Sequence, residues 1–338
     1  AERRIGAVNL NAKTELLLAF ALAALAVLMI ASLGIGRFAV DFSSLASALF
    51  TGGADSTESM VIGSVRLPRI LLAVIAGAGL SVAGAAFQAI FNNPLATPDT
   101  LGVTSGAAFG AVLAILFGFE GPLLQIVSFF FGLISVFLAY SVSSVRGQRT
   151  LLMLILSGLV IGALFTALIN LVKFVADPQD VLPSITYWML GSLSGAKMDN
   201  LYSAAPVIGF SSLILYILRW KMNALCMPED EARSLGIPVA RLRAVCILCA
   251  TLISACVVSL FGIISWVGLL IPHFCRLLVG SNNNAVVPAS LVFGGLFLLA
   301  ADTVARSATE VEIPVSVLTA VIGAPVFLII LRHGRARL

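Results

Sequence analysis

Charge is scarce in this chain, and that scarcity is what first classifies it. Only 11% of its 338 residues are Asp, Glu, Lys or Arg, against roughly 25% in an ordinary soluble domain. Hydrophobic residues make up 60%, and the mean hydropathy is +1.08. A soluble globular domain is excluded, and an integral membrane protein is implied. Histidine is limited to His273 and His333. No His, Asp and Glu cluster stands at metal-ligand spacing, so neither a resident metal nor a membrane-embedded metalloenzyme is expected. The five cysteines, Cys226, Cys246, Cys249, Cys256 and Cys275, avoid the predicted external loops, and no disulfide is expected. Cys246-x-x-Cys249 lies in an apolar helix rather than a redox context. No phosphate-loop sequence of the G-x-x-x-x-G-K-[ST] type occurs, so the chain does not hydrolyse nucleotide itself. The apolar runs lack the alternation of barrel strands. The basic residues form no stripe, and nucleic acid is not an expected partner. No cofactor is expected either.

What is present is a series of long runs rich in Leu, Ala and Val. They accommodate about ten helices of ~20 residues, the length that crosses a ~30 Å hydrocarbon core. The reading is an all-α integral membrane fold, a single transmembrane domain over residues 1–338 with both termini cytoplasmic. The first run, residues 16–36, is too long for a signal-peptide core and is read as a retained span. An external loop, 37–65, follows, and the second span begins near Pro68. Lys and Arg support this topology: those assigned to the cytoplasm outnumber the external set of Arg37, Arg66, Arg69, Lys173, Lys197 and Arg306. Small residues recur at four-residue spacing (Gly102, Gly106, Gly110; Gly158, Gly162; Gly191, Gly195), which lets helix backbones approach in lipid.

One long polar stretch interrupts the pattern, residues 219–243, RWKMNALCMPEDEARSLGIPVARLR. Pro228 suits a first helical position, and Glu229, Asp230 and Glu231 face the positive end of the helix dipole. Gly236 is placed to end the helix and Pro238 to prevent its resumption. A helix of two turns is unstable alone in water, so it rests on its own membrane domain or on a second protein.

Residues 66–107, RLPRILLAVIAGAGLSVAGAAFQAIFNNPLATPDTLGVTSGA, resemble the membrane subunit of FecCD-type ABC importers, a family that takes up iron–siderophores, haem and cobalamin. Three further stretches continue the resemblance in order: WMLGSL at 188–193, ARSLGIPVARLR at 232–243, and the run from Gly262 through IPHFCRLLVG, Asp302 and Arg306 to EIPVSVLTAVIGAPVF. Two departures stand out. Ser281-Asn282-Asn283-Asn284 occurs where relatives carry charged residues, and Ser316 replaces a frequent glycine.

The resemblance implies a type II ABC importer permease in the bacterial plasma (inner) membrane. It implies a homodimer working with two copies of an ATPase subunit and an external, periplasmic binding protein. Arg66, Arg69 and Arg306 would meet acidic residues of that binding protein. Residues 229–238 (Glu229, Asp230, Glu231, Ala232, Arg233, Ser234, Leu235, Gly236, Ile237, Pro238) would couple to the ATPase, with Ala232, Leu235 and Ile237 as apolar contacts. The pathway would run along the fifth and tenth spans, with a cytoplasmic gate at Thr150, Leu151 and Leu152. Asp302 and Arg306, an i, i+4 pair, are expected to neutralise one another, and His273 to make a structural hydrogen bond. The rival class, an ion-driven secondary transporter, predicts carboxylates at mid-membrane; only Asp302, near an edge, is a candidate.

Overall fold

The computed structural model describes residues 12–36, 60–145 and 148–334. Of the expected external loop, 37–59 lie outside the described residues. The chain forms α1 (Ala12–Gly34), a π-helical turn (Val61–Arg66) running into α2 (Leu67–Ile90), a 3-10 turn (Pro98–Leu101), α3 (Val103–Leu116) and α4 (Gly121–Val142). A two-residue hairpin, β1 (Ser144–Val145) with β2 (Gln148–Arg149), precedes α5 (Leu151–Val175). Then come α6 (Val181–Met189), α7 (Met198–Met222), a 3-10 turn (Asn223–Cys226), α8 (Glu229–Ser234), α9 (Val239–Phe261), α10 (Val267–Val279), α11 (Asn283–Ser307) and α12 (Val315–Gly334).

Seven helices among the described residues are long and apolar enough to cross a membrane. Three shorter apolar helices, α3, α10 and α12, stand where the third, eighth and tenth crossings were expected. The second span starts at Val61 rather than near Pro68. Proline cannot donate into an α-ladder, and the turn preceding Pro68 is π-helical, so Arg66 lies inside a continuous helical segment. Helix α6 was not anticipated. Asp177 starts it by accepting from the N–H groups of Gln179 (2.7 Å) and Asp180 (3.3 Å), an Asx turn that orients the segment after Pro178.

Helices α2, α9 and α11 form the centre and are mostly buried, whereas α1, α4, α5 and α7 bury only a minor part of their length. Hydrocarbon offers no hydrophobic drive for helix association, so packing must come from backbone approach and polar contacts. The central helix α2 supplies the first. A Cβ on Gly77 would stand 2.3 Å from the Gly294 carbonyl oxygen of α11, and one on Gly84 1.8 Å from that of Gly268 in α10. The second appears between α3 and α4, where Ser128 and Ser135 donate to the carbonyls of Ala107 and Gly102, each at 2.8 Å. On α5, Gly158 meets the backbone of Thr100 in the same way.

These contacts predict a selective cost. Gly84→Val should lower the unfolding midpoint and membrane yield sharply, at or above the ~1–3 kcal/mol of ordinary overpacking, because backbone cannot yield as a side chain does. Gly209→Ala on α7, which meets open space, should be neutral or slightly stabilising. Thermal unfolding of both variants in detergent checks the contrast; equal midpoints would refute it.

Candidate functional site

The polar segment folds into a compact foot. Pro228 is the N-cap of α8 rather than its first helical residue, with φ −52° and ψ 138°. The other end closes as expected: Gly236 adopts φ +75°, its N–H bonds the Arg233 carbonyl (2.9 Å) and that of Ile237 bonds Ala232 (3.2 Å). That pair of bonds is a Schellman cap, whose apolar contact joins the residue two past the helix to one in its last turn. Ala232, fully buried, and Ile237, half-buried, accordingly face the core. Ala232 is thus not free for a partner, which corrects the expectation that it would offer a contact, whereas Ile237 keeps a partly exposed flank. Leu235 is the apolar residue that points away, 64% exposed, among exposed Asp230, Glu231, Arg233 and Ser234. Glu229 binds Arg233 (2.6 Å) and Arg243 of α9 (3.5 Å).

From the foot, Pro238 leads directly into α9. Its 23 residues span about 34 Å, enough to cross a ~30 Å hydrocarbon core. At the far end, the Ser192 N–H bonds the Phe261 carbonyl (2.8 Å), and the Val315 N–H at the start of α12 bonds that of Gly191 (3.1 Å). Gly191 and Gly262, both with positive φ, allow the two strands of chain to touch; a Cβ on Gly191 would lie 2.1 Å from the Ile263 oxygen. One buried rod therefore connects the foot to a backbone junction shared by the outer ends of α6, α9 and α12. The WMLGSL and EIPV stretches meet at this junction. Trp188 is half-buried and packs in the cluster around Ile185. It also lines an outer cavity of about 550 Å³ with Glu120, Asp180 and Tyr187.

Helices α5 and α12 leave wide faces uncovered in the single chain. On α5 these include Leu152, Leu156, Leu159, Val160 and Leu164, with Thr166 and Asn170 as the polar members; on α12, Val317, Val321, Leu328 and Ile329. Thr150 is the N-cap of α5, its hydroxyl oxygen accepting from the Met153 N–H (3.2 Å). It stays exposed, with Leu151 half-buried and Leu152 61% exposed. His273 does not make the expected hydrogen bond through Nδ1, which is buried without a partner among the described residues; its ring stands 5.6 Å from Phe327.

The three outer arginines are buried, at 4%, 6% and 6% exposure for Arg66, Arg69 and Arg306. This departs from the expectation of arginines presented to a partner. Arg66 donates to the carbonyls of Leu33 and Gly34, and Arg306 to that of Ser32. These last-turn carbonyls of α1 have no partner within the helix, and the guanidinium charges meet the negative end of its dipole. Ser32 also bonds Thr303 at 2.6 Å. Arg69 lies between two carboxylates. Its Nε and Nη2 donate to Asp302 at 2.9–3.1 Å, and its Nη1 and Nη2 to Glu312 at 3.1 and 3.0 Å. Asp302 is wholly buried, and Arg306 approaches it only to 3.9 Å. The i, i+4 pair is thus the weaker contact; the main partner of Asp302 comes from 233 residues away. Glu312, which sequence reasoning missed, ties the approach to α12 onto α2.

Comparison with known proteins agrees with this architecture. The FecCD transport family matches residues 24–333. The molybdate import system permease protein MolB of Haemophilus influenzae is 41% identical over 308 residues, 90% of this chain and 91% of that one. The cobalamin import system permease protein BtuC of Halobacterium salinarum is 38% identical, covering 84% and 77%. A solved inward-facing structure of a transporter classed as metal-chelate type ABC superposes with a TM-score of 0.87 at 39% identity, covering 94% of this chain and 99% of its own.

The outer cluster predicts strong coupling. Arg69→Gln should destabilise by roughly 3–5 kcal/mol, since it strands the buried Asp302; Asp302→Asn should cost less, because Glu312 still pairs Arg69. The double replacement should cost clearly less than the sum. Thermal unfolding of the four proteins gives the coupling; additive losses would show that the pair is not a unit.

Proposed function

This chain belongs to the FecCD transport family, and from that membership we propose that two copies of it form the conduit of an importer for a metal-bearing solute, driven by two copies of a separate ATPase and fed by an outside binding protein in the bacterial plasma membrane. The chain itself is the permease subunit of an ABC importer; such subunits are non-catalytic, and ATP hydrolysis resides in the partner.

The observation that carries the proposal is the foot: a Schellman-capped helix presenting Leu235 in a charged rim and continuous with a buried rod. The motor's two nucleotide states would bind two positions of the foot with different affinity, and that difference is what shifts the permease between inward and outward forms. A displaced foot would carry α9 with it, and α9 would pull the junction that holds α6 and α12. The uncovered faces of α5 and α12 would meet their copies across a two-fold axis and line the pathway, with Thr150, Leu151 and Leu152 at its cytoplasmic mouth. Their neutral wall, apolar apart from Thr166 and Asn170, offers no fixed ligands and suits a cargo that passes without sticking.

At the outer end, docking through the arginine cluster requires a partner's carboxylates to compete with internal acceptors, above all the part-exposed Glu312. For the cargo, a chelate such as an iron–siderophore, haem or cobalamin fits the neutral wall. The similarity to a molybdate permease favours a second reading, an oxyanion. Uptake of labelled molybdate and labelled ferric siderophore by a deletion strain carrying this chain separates the two.

Leu235→Asp should abolish co-purification of the ATPase while leaving the unfolding midpoint of the permease unchanged, because Leu235 is mostly outside the core. Gly236→Val, which forces a β-branched residue to φ +75° at about 1–2 kcal/mol, should keep ATP hydrolysis but lower solute imported per ATP severalfold. Uptake that persists without any ATPase and collapses with the proton gradient would instead establish the secondary-transporter class.

A further inference from the structure

A cation at the cytoplasmic corner of α7, α10 and α11 has no counter-charge among the described residues. Arg276, one turn before the end of α10, is half-buried. Its Nε donates to Gln88 Oε1 (3.3 Å), its Nη1 to the Ser281 carbonyl (3.3 Å) and its Nη2 to Asn283 Oδ1 (3.4 Å). All three acceptors are neutral and all three bonds are long. Among the described residues no carboxylate lies within ion-pair distance, whereas Arg69, Arg233, Arg243 and Arg306 each face one.

A guanidinium carries five N–H donors. Three are used, and each terminal nitrogen keeps one, the fork that binds two oxygens of a single oxyanion. A second donor waits beside it. Asn283 is fully buried, and its Nδ2, on the same amide whose Oδ1 accepts from Arg276, has no hydrogen-bond partner among the described residues. Buried donors are ordinarily paired. The backbone N–H groups that open α11 do not compete for this role: Asn283 N–H bonds Asn223 Oδ1 (2.9 Å) and Asn284 N–H bonds Asn282 Oδ1 (3.0 Å). The Cys226 sulfur stands against this amide, but it is a weak acceptor whose own hydrogen turns to the Ala89 carbonyl (3.7 Å), so it supplies neither a charge nor a strong partner for Nδ2. The corner is also open. Ser281 and Asn282 are exposed, and the space beside Gly280 is empty.

We propose that Arg276 and Asn283 form an oxyanion site on the cytoplasmic face, taking a phosphate-class group from an anionic lipid headgroup or a free tetrahedral anion. The SNNN stretch acquires a purpose in this reading, since an aspartate at 283 would neutralise Arg276 from within. Asn283→Asp is therefore the informative variant, nearly isosteric and self-filling.

The test follows thermal unfolding of the full delipidated chain in detergent, with phosphate or molybdate against chloride at equal ionic strength, and with phosphatidylglycerol against phosphatidylcholine. The native chain should gain a few degrees with one of these probes. Stabilisation by the free anions identifies a soluble ligand; stabilisation by phosphatidylglycerol identifies a headgroup. Asn283→Asp should lose the response while unfolding no earlier than the unliganded native chain. Arg276→Lys, which keeps the charge without the fork, should weaken it severalfold. Indifference of the native chain to every probe, as when a protein partner's carboxylate is the true occupant, overturns the proposal. An undiminished response in both variants overturns it equally.

Discussion

The hydrogen bond from the Ser192 N–H to the Phe261 carbonyl fixes the outer end of α9 to the chain leaving α6. The adjoining bond from Val315 to Gly191 brings α12 to the same point. Backbone groups in a bilayer must be satisfied within the protein, so these bonds are not exchangeable with water as they would be in a soluble loop. They turn three separate helix ends into one mechanical point. The inner end of the same rod is held to the foot by the short Pro238 link and by Glu229 to Arg243. A permease that hydrolyses nothing needs such a continuous element, because a displacement imposed at one face has to arrive at the other.

The outer arginine cluster serves the same economy of polar groups. Helix α1 is largely exposed and offers little surface for packing, yet its last-turn carbonyls are held by Arg66 and Arg306. Arg69 joins α2 to α11 and to the approach of α12 by sharing one guanidinium between Asp302 and Glu312. Charges that composition would place in the interface can thus lie inside the protein, because carbonyls and carboxylates take over the role of water.

Local signals were legible in the sequence wherever their cause was local. Pro228 and Gly236 bracketed the foot, and both bonds of the expected cap are present. The apolar runs located the long helices, seven of which among the described residues are long and apolar enough to cross a membrane, because hydrocarbon thickness sets their length. The phase of a six-residue helix is not legible: two turns are too few to show which face is buried, so Ala232 reads as an outward contact although the Schellman cap turns it in. Helix α6 was hidden because Asp177-Pro178 and Pro183 read as loop chemistry. The i, i+4 reading of Asp302 and Arg306 failed for another reason. The stronger partner, Arg69, is brought in by tertiary packing across 233 positions, and no periodicity encodes it.

Whether movement at the foot reaches the outer face is measured most directly by spin-label distances in the assembled, ATPase-bound transporter. Labels at Tyr187 on α6 of the two copies would report the outer end, and labels at Ala240 at the start of α9 the inner end, with and without ATP. The account predicts that ATP changes both distances together, and that Gly236→Val diminishes both changes in step while ATP is still hydrolysed. An outer change that survives in that variant, with the inner distance fixed, would contradict it.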